Sequence, residues 1–268
     1  MLKMAAIVPQ NFLEITAESK MHMALAHLVG EEAYAEYTYF FKHRNKDSFC
    51  ILDNGVIEGN PMPIDIILER AALIQADEIV LPDAYKDAAK TIEMIDEAIQ
   101  YIETHPDAYK CKLMAVPQGA SMEEWVDCAK QIIDKFGAFI HTIGIPKHLI
   151  DTCGQRDARL FAISSLKDEI PNIDSYDIHL LGCWKTPLEV LTIAKASEQG
   201  IIPEVRSCDS AIPYVYARSG LRFSDDDRPD SDPIEFEKGH CNTVLLTYNI
   251  LAWHAVGDPS SERSIYFL

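Results

Sequence analysis

The sequence predicts an α/β fold, a closed (β/α)8 TIM barrel of parallel strands in a single domain over residues 1–268. Short apolar runs rich in β-branched residues alternate with segments of helical periodicity, which is typical of parallel strands joined by crossover helices. Eight units would share the 268 residues at about 33 each, close to what one strand, one helix and two loops need. The first strand-to-helix turn, Val8-Pro9-Gln10-Asn11, has no glycine, which argues against an open dinucleotide-binding sheet.

The predicted strands are apolar runs that end in polar or glycine-containing turns. Seven are found: Met4–Val8, Phe49–Leu52, Glu78–Leu81, Lys112–Val116, Phe139–Ile143, Ile178–Leu181 and Val205–Cys208. An eighth strand is not obvious, so we expect the barrel to be irregular at its last strand. Thr243–Val256 fits a helix or a strand by composition, and the Pro- and Asp-rich segment Leu221–His240 predicts a long acidic loop.

Helices are predicted between these strands where apolar residues recur at three- and four-residue steps, with charged residues opposite. This pattern covers Pro63–Gln75, Asp87–Thr104 and Met122–Phe136. A fourth helix, Pro187–Gly200, runs from an early proline to a terminal glycine.

The composition is that of a globular but strongly acidic chain. Hydrophobic residues make up 48% and charged residues 25%, which excludes a disordered or low-complexity protein. The 24 Lys and Arg residues stand against 42 Asp and Glu, for a formal net charge of −18. A broad basic face for polyanions is therefore excluded, and contact with nucleic acid has to be local or assisted by a helper protein.

The cysteines indicate the compartment. Seven are scattered singly, an odd count without the spacing of a disulfide framework, so we expect free thiols in a reducing cytoplasm. The amino-terminal segment lacks the pattern of a signal peptide, and no run is long enough for a membrane span, so no membrane partner is expected.

Polar side chains recur where the predicted strands end. Asp53, Asp83 and Asp209 follow three of them and Gln118 follows another, and the carboxyl ends of barrel strands are where active sites lie. Each Asp alone is more simply a turn former or helix cap. Three carboxylates at one mouth are harder to explain that way, because crowded like charges cost free energy unless a ligand or raised pKa values compensate.

Six motifs in this order resemble the tRNA-guanine transglycosylases, and more particularly their phage relatives that insert 7-deazaguanines into DNA. The similar segments are Leu52-Asp53-Asn54-Gly55, Val80-Leu81-Pro82-Asp83, Val116-Pro117-Gln118-Gly119, Ile143-Gly144-Ile145, His179-Leu180-Leu181-Gly182 and Ser207-Cys208-Asp209-Ser210-Ala211-Ile212-Pro213. The resemblance covers roughly residues 50 to 220.

The resemblance implies a role for each matched residue. Asp209 would be the nucleophile and Asp53 the general acid/base. The substrate-binding residues would be Asn54, Asp83, Gln118, Gly119, Gly144, Ile145, Leu181 and Gly182, with Asp83 and Gln118 reading the base edge. The implied reaction replaces guanine in DNA by a 7-deazaguanine through a sugar linked covalently to Asp209. An ionised carboxylate suits that step because it can stabilise and then hold the positive anomeric carbon.

One departure from the family pattern concerns its zinc site. The tRNA enzymes carry a zinc site built from three cysteines and a histidine, whereas only Cys241, beside His240, stands at that point in this chain. No cofactor is therefore expected, and DNA is expected as the polynucleotide, with tRNA as the alternative.

Local cations are expected to bind phosphates, and the candidates are Lys147, His148, Arg156, Arg159, Arg206 and Arg218. Tyr214 and Tyr216 could stack on bases or pack at the rim of the barrel. A homodimer is a further possibility.

Two other functions stay open. His141 and His179 on the fifth and sixth predicted strands, with Asp209, could bind the metal of an amidohydrolase-like enzyme, although His22 lies in a helix-like stretch and has no His-x-His mate. The chain could also be an inactive barrel that serves as a nucleic-acid adaptor.

Overall fold

Eight parallel strands form the centre of the protein. The computed structural model describes residues 1–56, 59, 61–183, 187–223 and 233–258. The strands are β1 (Lys3–Ala6), β2 (Met21–Leu25), β3 (Phe49–Asp53), β4 (Glu78–Val80), β5 (Lys112–Ala115), β6 (Thr142–Pro146), β7 (Asp177–Leu181) and β8 (Val205–Ser210). They pair in the order β1-β8-β7-β6-β5-β4-β3-β2, and the predicted (β/α)8 barrel is confirmed.

The barrel is irregular at two places. β1 and β2 stand at the two ends of the hydrogen-bonded order and lie side by side, so the ring is nearly closed and has a seam between them. The ladder between β7 and β8 shifts register at Ile178 and His179. Irregularity was expected beside the last strand, and the seam between the first two strands is an additional one.

Helices follow most of the strands and cover the outside of the barrel. They are α1 (Ala35–His43), α2 (Ile64–Ile74), α3 (Ala88–Thr104), α4 (Met122–Phe136), α5 (Leu149–Cys153), α6 (Ala158–Glu169), α7 (Leu188–Glu198), α8 (Ile212–Arg218) and α9 (Thr243–Val256). The four predicted helices correspond to α2, α3, α4 and α7. Of the two readings of Thr243–Val256, the helix is correct.

The second strand is one that sequence analysis missed. β2 reads Met-His-Met-Ala-Leu, and all five residues are buried. Methionine and alanine carry little preference for strands, so the composition gave no signal. His22 lies in this strand and not in a helix, and its ring packs edge-on against Phe40 and Phe41 of α1 at 5.9 and 6.0 Å.

One strand lies later than predicted. β6 covers Thr142–Pro146, whereas Phe139–Ile143 was expected. The Phe139 amide donates to the carbonyl of Phe136, which keeps this residue on the end of α4. Proline is accommodated because Pro146 is the last residue of the strand.

The interior of the barrel is a small apolar layer separate from the larger core beneath the helices. It consists of Ala5, Met21, Met23, Ile51, Val80, Met114 and Val116. The cavity described below opens above this layer, which gives the site an apolar floor.

The last helix holds the first strand. The Trp253 indole of α9 donates to the Ala5 carbonyl at 3.0 Å, and the Leu2 amide donates to the Gly257 carbonyl at 2.9 Å. A Cβ at position 257 would lie 2.1 Å from the Leu2 carbonyl oxygen, so only glycine fits there.

Three other expectations concern the chain as a whole. All seven cysteines are free thiols. Within the described residues, no helix combines the length and apolar character that crossing a membrane requires. The centre of the predicted acidic loop, 224–232, and the last part of the predicted domain, 259–268, lie outside the described residues.

Candidate active site at the carboxyl ends of the strands

A cavity of about 140 Å³ lies at the carboxyl ends of the strands. Its polar lining includes Asp53, Asn54, Asp83, Gln118, Asp209 and Ser210. Pockets for drug-sized ligands enclose about 300–1,000 Å³, so this cavity suits a small ligand or one ring system of a larger one. The three Asp residues that the sequence placed at separate strand ends thus share one cavity.

Asp83 is a buried carboxyl group held by two side-chain amides. It is 6% exposed, and its Oδ1 and Oδ2 accept hydrogen bonds from Asn54 Nδ2 at 2.6 Å and Gln118 Nε2 at 2.5 Å. Burial raises the pKa of Asp83 from 3.8 to about 6, and the two amide hydrogen bonds oppose that rise. The carboxyl is therefore ionised at neutral pH but titrates close to it.

The two amides that hold Asp83 are themselves fixed. Asn54 Nδ2 also donates to the Leu81 carbonyl at 2.8 Å, so both of its N–H bonds are used. Gln118 Oε1 accepts from the Lys86 amide at 3.1 Å, which sets the orientation of the amide group and turns its NH2 toward Asp83. Asn54 lines the cavity, but both of its donors serve Asp83 and the Leu81 carbonyl.

Asp53 ends β3 and combines the two roles that were weighed for it. Its Oδ2 accepts from the Gly55 amide at 3.1 Å, as in a turn-forming Asp. The same side chain lines the cavity. Asp53 therefore has a structural contact and also lines the cavity.

Asp209 lies near the end of β8 and is held through a single oxygen. Its Oδ1 accepts from the Gly182 amide at 3.1 Å and is 3.0 Å from His179 Nε2. Among the described residues both hydrogen bonds fall on Oδ1, so Oδ2 is the oxygen left for a ligand in the cavity. The carboxyl is 5% exposed.

A chain of hydrogen bonds continues from His179 into the barrel. His179 Nδ1 is 2.7 Å from the Ser207 hydroxyl, which accepts from Arg206 Nε at 3.1 Å. Because the arginine can only donate, the hydroxyl proton is available to His179 Nδ1. The Asp209 carboxylate can only accept, so Nε2 carries a ring proton and donates it to Asp209. Sequence analysis missed this positioning role, although the alternation of His179 with the residues of β7 could have indicated that it faces inward.

Gly182 is needed for its backbone conformation. Its φ is +71°, in the left-handed region that favours glycine. A Cβ there would lie 2.8 Å from the Cδ of Lys147. The turn lets the Gly182 amide reach Asp209, and both Gly182 and the preceding Leu181 line the cavity.

Arg159 supports this turn from behind and does not face solvent. Its guanidinium is fully buried, pairs with Glu189 at 2.6 Å and donates to the Gly182 carbonyl at 2.8 Å. The expectation of a phosphate contact is wrong for Arg159, because its donors are directed at Glu189 and at backbone carbonyls.

Three predicted substrate-binding residues do not line the cavity. Gly144 and Ile145 lie inside β6, and Pro146 and Lys147 reach the cavity instead, because the strand extends three residues further than predicted. A side chain on Gly144 would meet Leu181, Val116 and Met114 at 2.9 to 3.0 Å, so its role is packing. Gly119 lies against the start of α4, where a Cβ would come within 2.5 Å of the Trp125 amide nitrogen.

The predicted cations separate into different places. Lys147 lines the cavity, and Arg156 is exposed just before α6. Arg218 donates to the Pro233 carbonyl at 3.1 Å. Arg206 is wrong as a phosphate contact, because it lies inside the barrel, three residues before Asp209, and pairs with the fully buried Glu78 at 2.6 Å.

Tyr214 and Tyr216 are buried, at 2% and 1% exposed, so the packing reading is correct for both and base stacking is not. His141 lies just before β6, at the opposite end of that strand from the cavity, and it is exposed. It therefore does not join His179 and Asp209 in the metal site that was considered. Within the described part of the chain, no group of three or more His, Cys, Asp or Glu side chains forms a metal site.

Comparison with known proteins supports the fold. No protein-family model matches the chain, and no curated protein matches its sequence. Over 99% of this chain and 90% of the other, the structure resembles the YdjI aldolase from Escherichia coli K12, with 10% identity and a TM-score of 0.51. At that identity the likeness shows a shared TIM-barrel fold and nothing finer.

Two further solved structures are more distant. A putative mandelate racemase/muconate lactonizing enzyme from Aspergillus oryzae has 13% identity over 78% of this chain and 52% of its own, with a TM-score of 0.45. This chain thus spans about half the length of that protein. Protein CitE from Mycobacterium tuberculosis, solved with magnesium, acetoacetate and coenzyme A, has 13% identity over 95% of this chain and 98% of its own, with a TM-score of 0.44.

These comparisons correct one expectation. The resemblance to tRNA-guanine transglycosylases is wrong as an assignment of family, because no family model matches the chain and the YdjI aldolase, which the structure resembles over 99% of this chain, is not a transglycosylase. The six short motifs are individually weak, and a turn Asp or a glycine at a strand end recurs in TIM barrels for structural reasons. What the chain does has to be argued from its cavity.

Proposed function

We propose that the protein is a base-exchange enzyme, which replaces guanine in a polynucleotide by a free 7-deazaguanine base. The observation that carries the proposal is the meeting of Asp53, Asp83 and Asp209 at one small cavity, with Asp83 fixed by Asn54 and Gln118. The proposal rests on the chemistry of these side chains and not on membership of a family.

Asp209 is suited to attack the sugar. Its Oδ1 is engaged by His179 and Gly182, which orients the carboxylate with Oδ2 toward the cavity. Oδ2 would form a bond to C1′ of the nucleotide as the C1′–N9 bond breaks, and the electron pair of that bond would stay with the guanine. A retaining glycosidase uses an ionised carboxylate in the same way.

Asp53 would balance the charge on the base. Its carboxyl group would give a proton to the departing guanine and then, as a carboxylate, take the N9 proton of the incoming 7-deazaguanine. N9 of the new base would then form a bond to C1′ and displace Asp209. The two half-reactions mirror each other, so no hydrolysis and no net proton release occur.

Asp83 and Gln118 would read the base. An ionised carboxylate accepts from the N1–H and the exocyclic amine of guanine. One N–H of Gln118 donates to Asp83, and the second can donate to O6. A paired base in a duplex is out of reach of so enclosed a cavity, so the nucleotide would be flipped out or taken from a single strand.

The test is release of guanine. The purified chain is incubated with oligodeoxynucleotides carrying labelled guanine, together with 7-cyano-7-deazaguanine, and a parallel reaction uses tRNA. We expect label in solution only when the free base is present. Asp209→Asn should abolish release, and Asp96→Asn on α3 should not change it. Absence of release from both polymers, with the folded wild-type chain, overturns the proposal.

A further inference from the structure

Four side chains lie together beside the cavity, apart from the carboxyl groups described above. Tyr85 and Lys86 belong to the loop between β4 and α3, and Lys147 and His148 follow β6. The rings of Tyr85 and His148 meet edge to face with centroids 4.7 Å apart, and Lys86 Nζ is 5.3 Å from the centre of the Tyr85 ring. Lys147 and His148 line the cavity. We call these four residues the rim cluster.

His148 is the unusual member of the rim cluster. It is 6% exposed, yet among the described residues neither ring nitrogen has a hydrogen-bond partner. Burial, together with the ammonium groups of Lys86 and Lys147, lowers the pKa of His148 to about 4. The ring is therefore neutral at pH 7, with one donor and one acceptor nitrogen unused. A buried polar group without a partner needs an explanation, and this imidazole lines a cavity with two lysines beside it.

The two lysines also stand apart from the rest of this acidic chain. Within the described ranges neither Lys86 nor Lys147 pairs with a carboxylate, whereas the neighbouring Lys90 pairs with Glu93 at 2.7 Å. The backbone of Lys86 has a φ of +59°, which is uncommon for a lysine, and its amide is held by Gln118. The loop is thus fixed to a residue of the cavity, with its cation beside His148.

We propose that Lys86, Lys147 and His148 form a phosphate-binding subsite at the edge of the cavity. Two ammonium groups supply charge and the imidazole supplies a directed hydrogen bond, which together suit a phosphate oxygen cluster. Tyr85 packs on the imidazole and is itself 52% exposed, so the ring that covers His148 borders solvent. Naming the ligand as the phosphate next to the reacting nucleotide rests on the proposed function; the subsite itself does not.

Binding measured without turnover tests the subsite. Inorganic phosphate is titrated into the wild-type chain labelled with ¹⁵N-histidine, and the His148 ring signals are assigned by their loss in His148→Gln. We expect these signals to shift with phosphate. The double variant Lys86→Ala/Lys147→Ala should weaken binding at least about tenfold, the effect of losing two charge-assisted contacts, and Lys90→Ala should leave it unchanged. An unshifted His148 signal, or equal binding by the double variant, overturns the proposal.

Two further ligands identify the source of the phosphate. A thymine-only oligonucleotide offers phosphodiesters without guanine, and dGMP offers a terminal phosphate. If the subsite follows a polynucleotide backbone, the oligonucleotide binds and the salt dependence of log K flattens by about one per lysine removed. If the subsite binds a terminal phosphate, only the binding of dGMP and of inorganic phosphate is weakened when the two lysines are removed. These binding measurements can also be made with Asp209→Asn, because they need no turnover. A failure of the proposed base exchange is therefore distinguished from a failure of the proposed phosphate subsite.

Discussion

The imidazole of His179 and the carboxylate of Asp209 meet between neighbouring strands, with Nε2 3.0 Å from Oδ1. The histidine is fully buried, and the Ser207 hydroxyl on its far side holds Nδ1 at 2.7 Å. The pair directs the second oxygen of Asp209 at the cavity. Orientation of a reacting group by residues that never touch the substrate is a common way in which barrels gain rate.

Removal of the Ser207 hydroxyl should therefore slow the reaction without weakening binding. In Ser207→Ala the His179 ring loses the hydrogen bond at Nδ1 that holds its orientation, so the ring positions Asp209 less firmly. We expect kcat for base exchange to fall about tenfold with KM unchanged, because a misplaced Asp209 slows the chemical step and does not affect substrate binding. Ser165→Ala on α6 is the control. A rise in KM with unchanged kcat contradicts the assigned role.

The amide of Asn54 should tune the acidity of Asp83. The hydrogen bond from Asn54 lowers the pKa of Asp83, so Asn54→Ala removes a stabilising contact from the ionised form and the pKa should rise further above about 6. Guanine binding requires the carboxylate, so its loss at low pH should begin at a higher pH in the variant. A ¹³C-carboxyl NMR titration measures the pKa directly, and Asn45→Ala in the loop before β3 is the control. A downward change would disprove the account of this site.

Arg206 should act on stability and not on contact with nucleic acid. Its guanidinium pairs with the fully buried Glu78, and removal of one partner from such a pair typically costs about 3–5 kcal/mol. We expect Arg206→Ala to lower the free energy of unfolding by about 3 kcal/mol in urea denaturation. Arg156→Ala, at an exposed position, should change it by less than about 0.5 kcal/mol. Equal effects of the two variants would show that Arg206 is not a structural residue.

Two buried histidines should make the fold sensitive to acid. Burial, Arg44 and His254 lower the pKa of His22 to about 4, and burial with two lysines does the same for His148. Between pH 6.5 and 4 these two histidines are protonated in the unfolded chain but remain neutral in the folded chain. The free energy of unfolding therefore decreases as the pH falls through this window. The raised pKa of Asp83 has the opposite effect on the free energy of unfolding, but this single group does not offset both His22 and His148.

The double variant His22→Leu/His148→Leu tests this expectation. Its free energy of unfolding should depend less on pH, by up to about 1.4 kcal/mol per pH unit for each histidine removed. Denaturant unfolding at steps between pH 7 and 4 measures the slope, with His43→Gln at the exposed end of α1 as the control. A slope as steep as that of the wild type would refute the assignment.

The sequence predicted the barrel well because its signals were repeated along the chain. The periodic helices and seven of the strands were recognisable, because each buries an apolar face in the core and this burial leaves a regular pattern of apolar residues in the sequence. β2 was missed because its five residues carry no strand preference of their own, and its place is set by β3 beside it. The convergence of Asp53, Asp83 and Asp209 followed from topology alone, since carboxyl ends of parallel strands meet.

The second layer of the site was out of reach of sequence reasoning. Nothing in the identity of Arg206 or Arg159 distinguishes a buried ion pair from a surface cation, and only the partners Glu78 and Glu189 decide it. His148 was considered as a phosphate contact, but its burial without partners depends on Tyr85 from another loop. Such features arise from pairs of residues far apart in the chain.

The contact of Trp253 with Ala5 joins positions 248 residues apart, and this bears on how the molecule is made. During synthesis β1 leaves the ribosome long before α9, so the indole that donates to the Ala5 carbonyl becomes available only after the intervening strands and helices have been made. We expect the barrel to remain incomplete, with β1 not yet covered, until α9 is available. Contacts between segments so far apart in the sequence slow folding. Chaperones that bind unfolded chains would contact this uncovered edge of β1 in the interval before α9 packs against it.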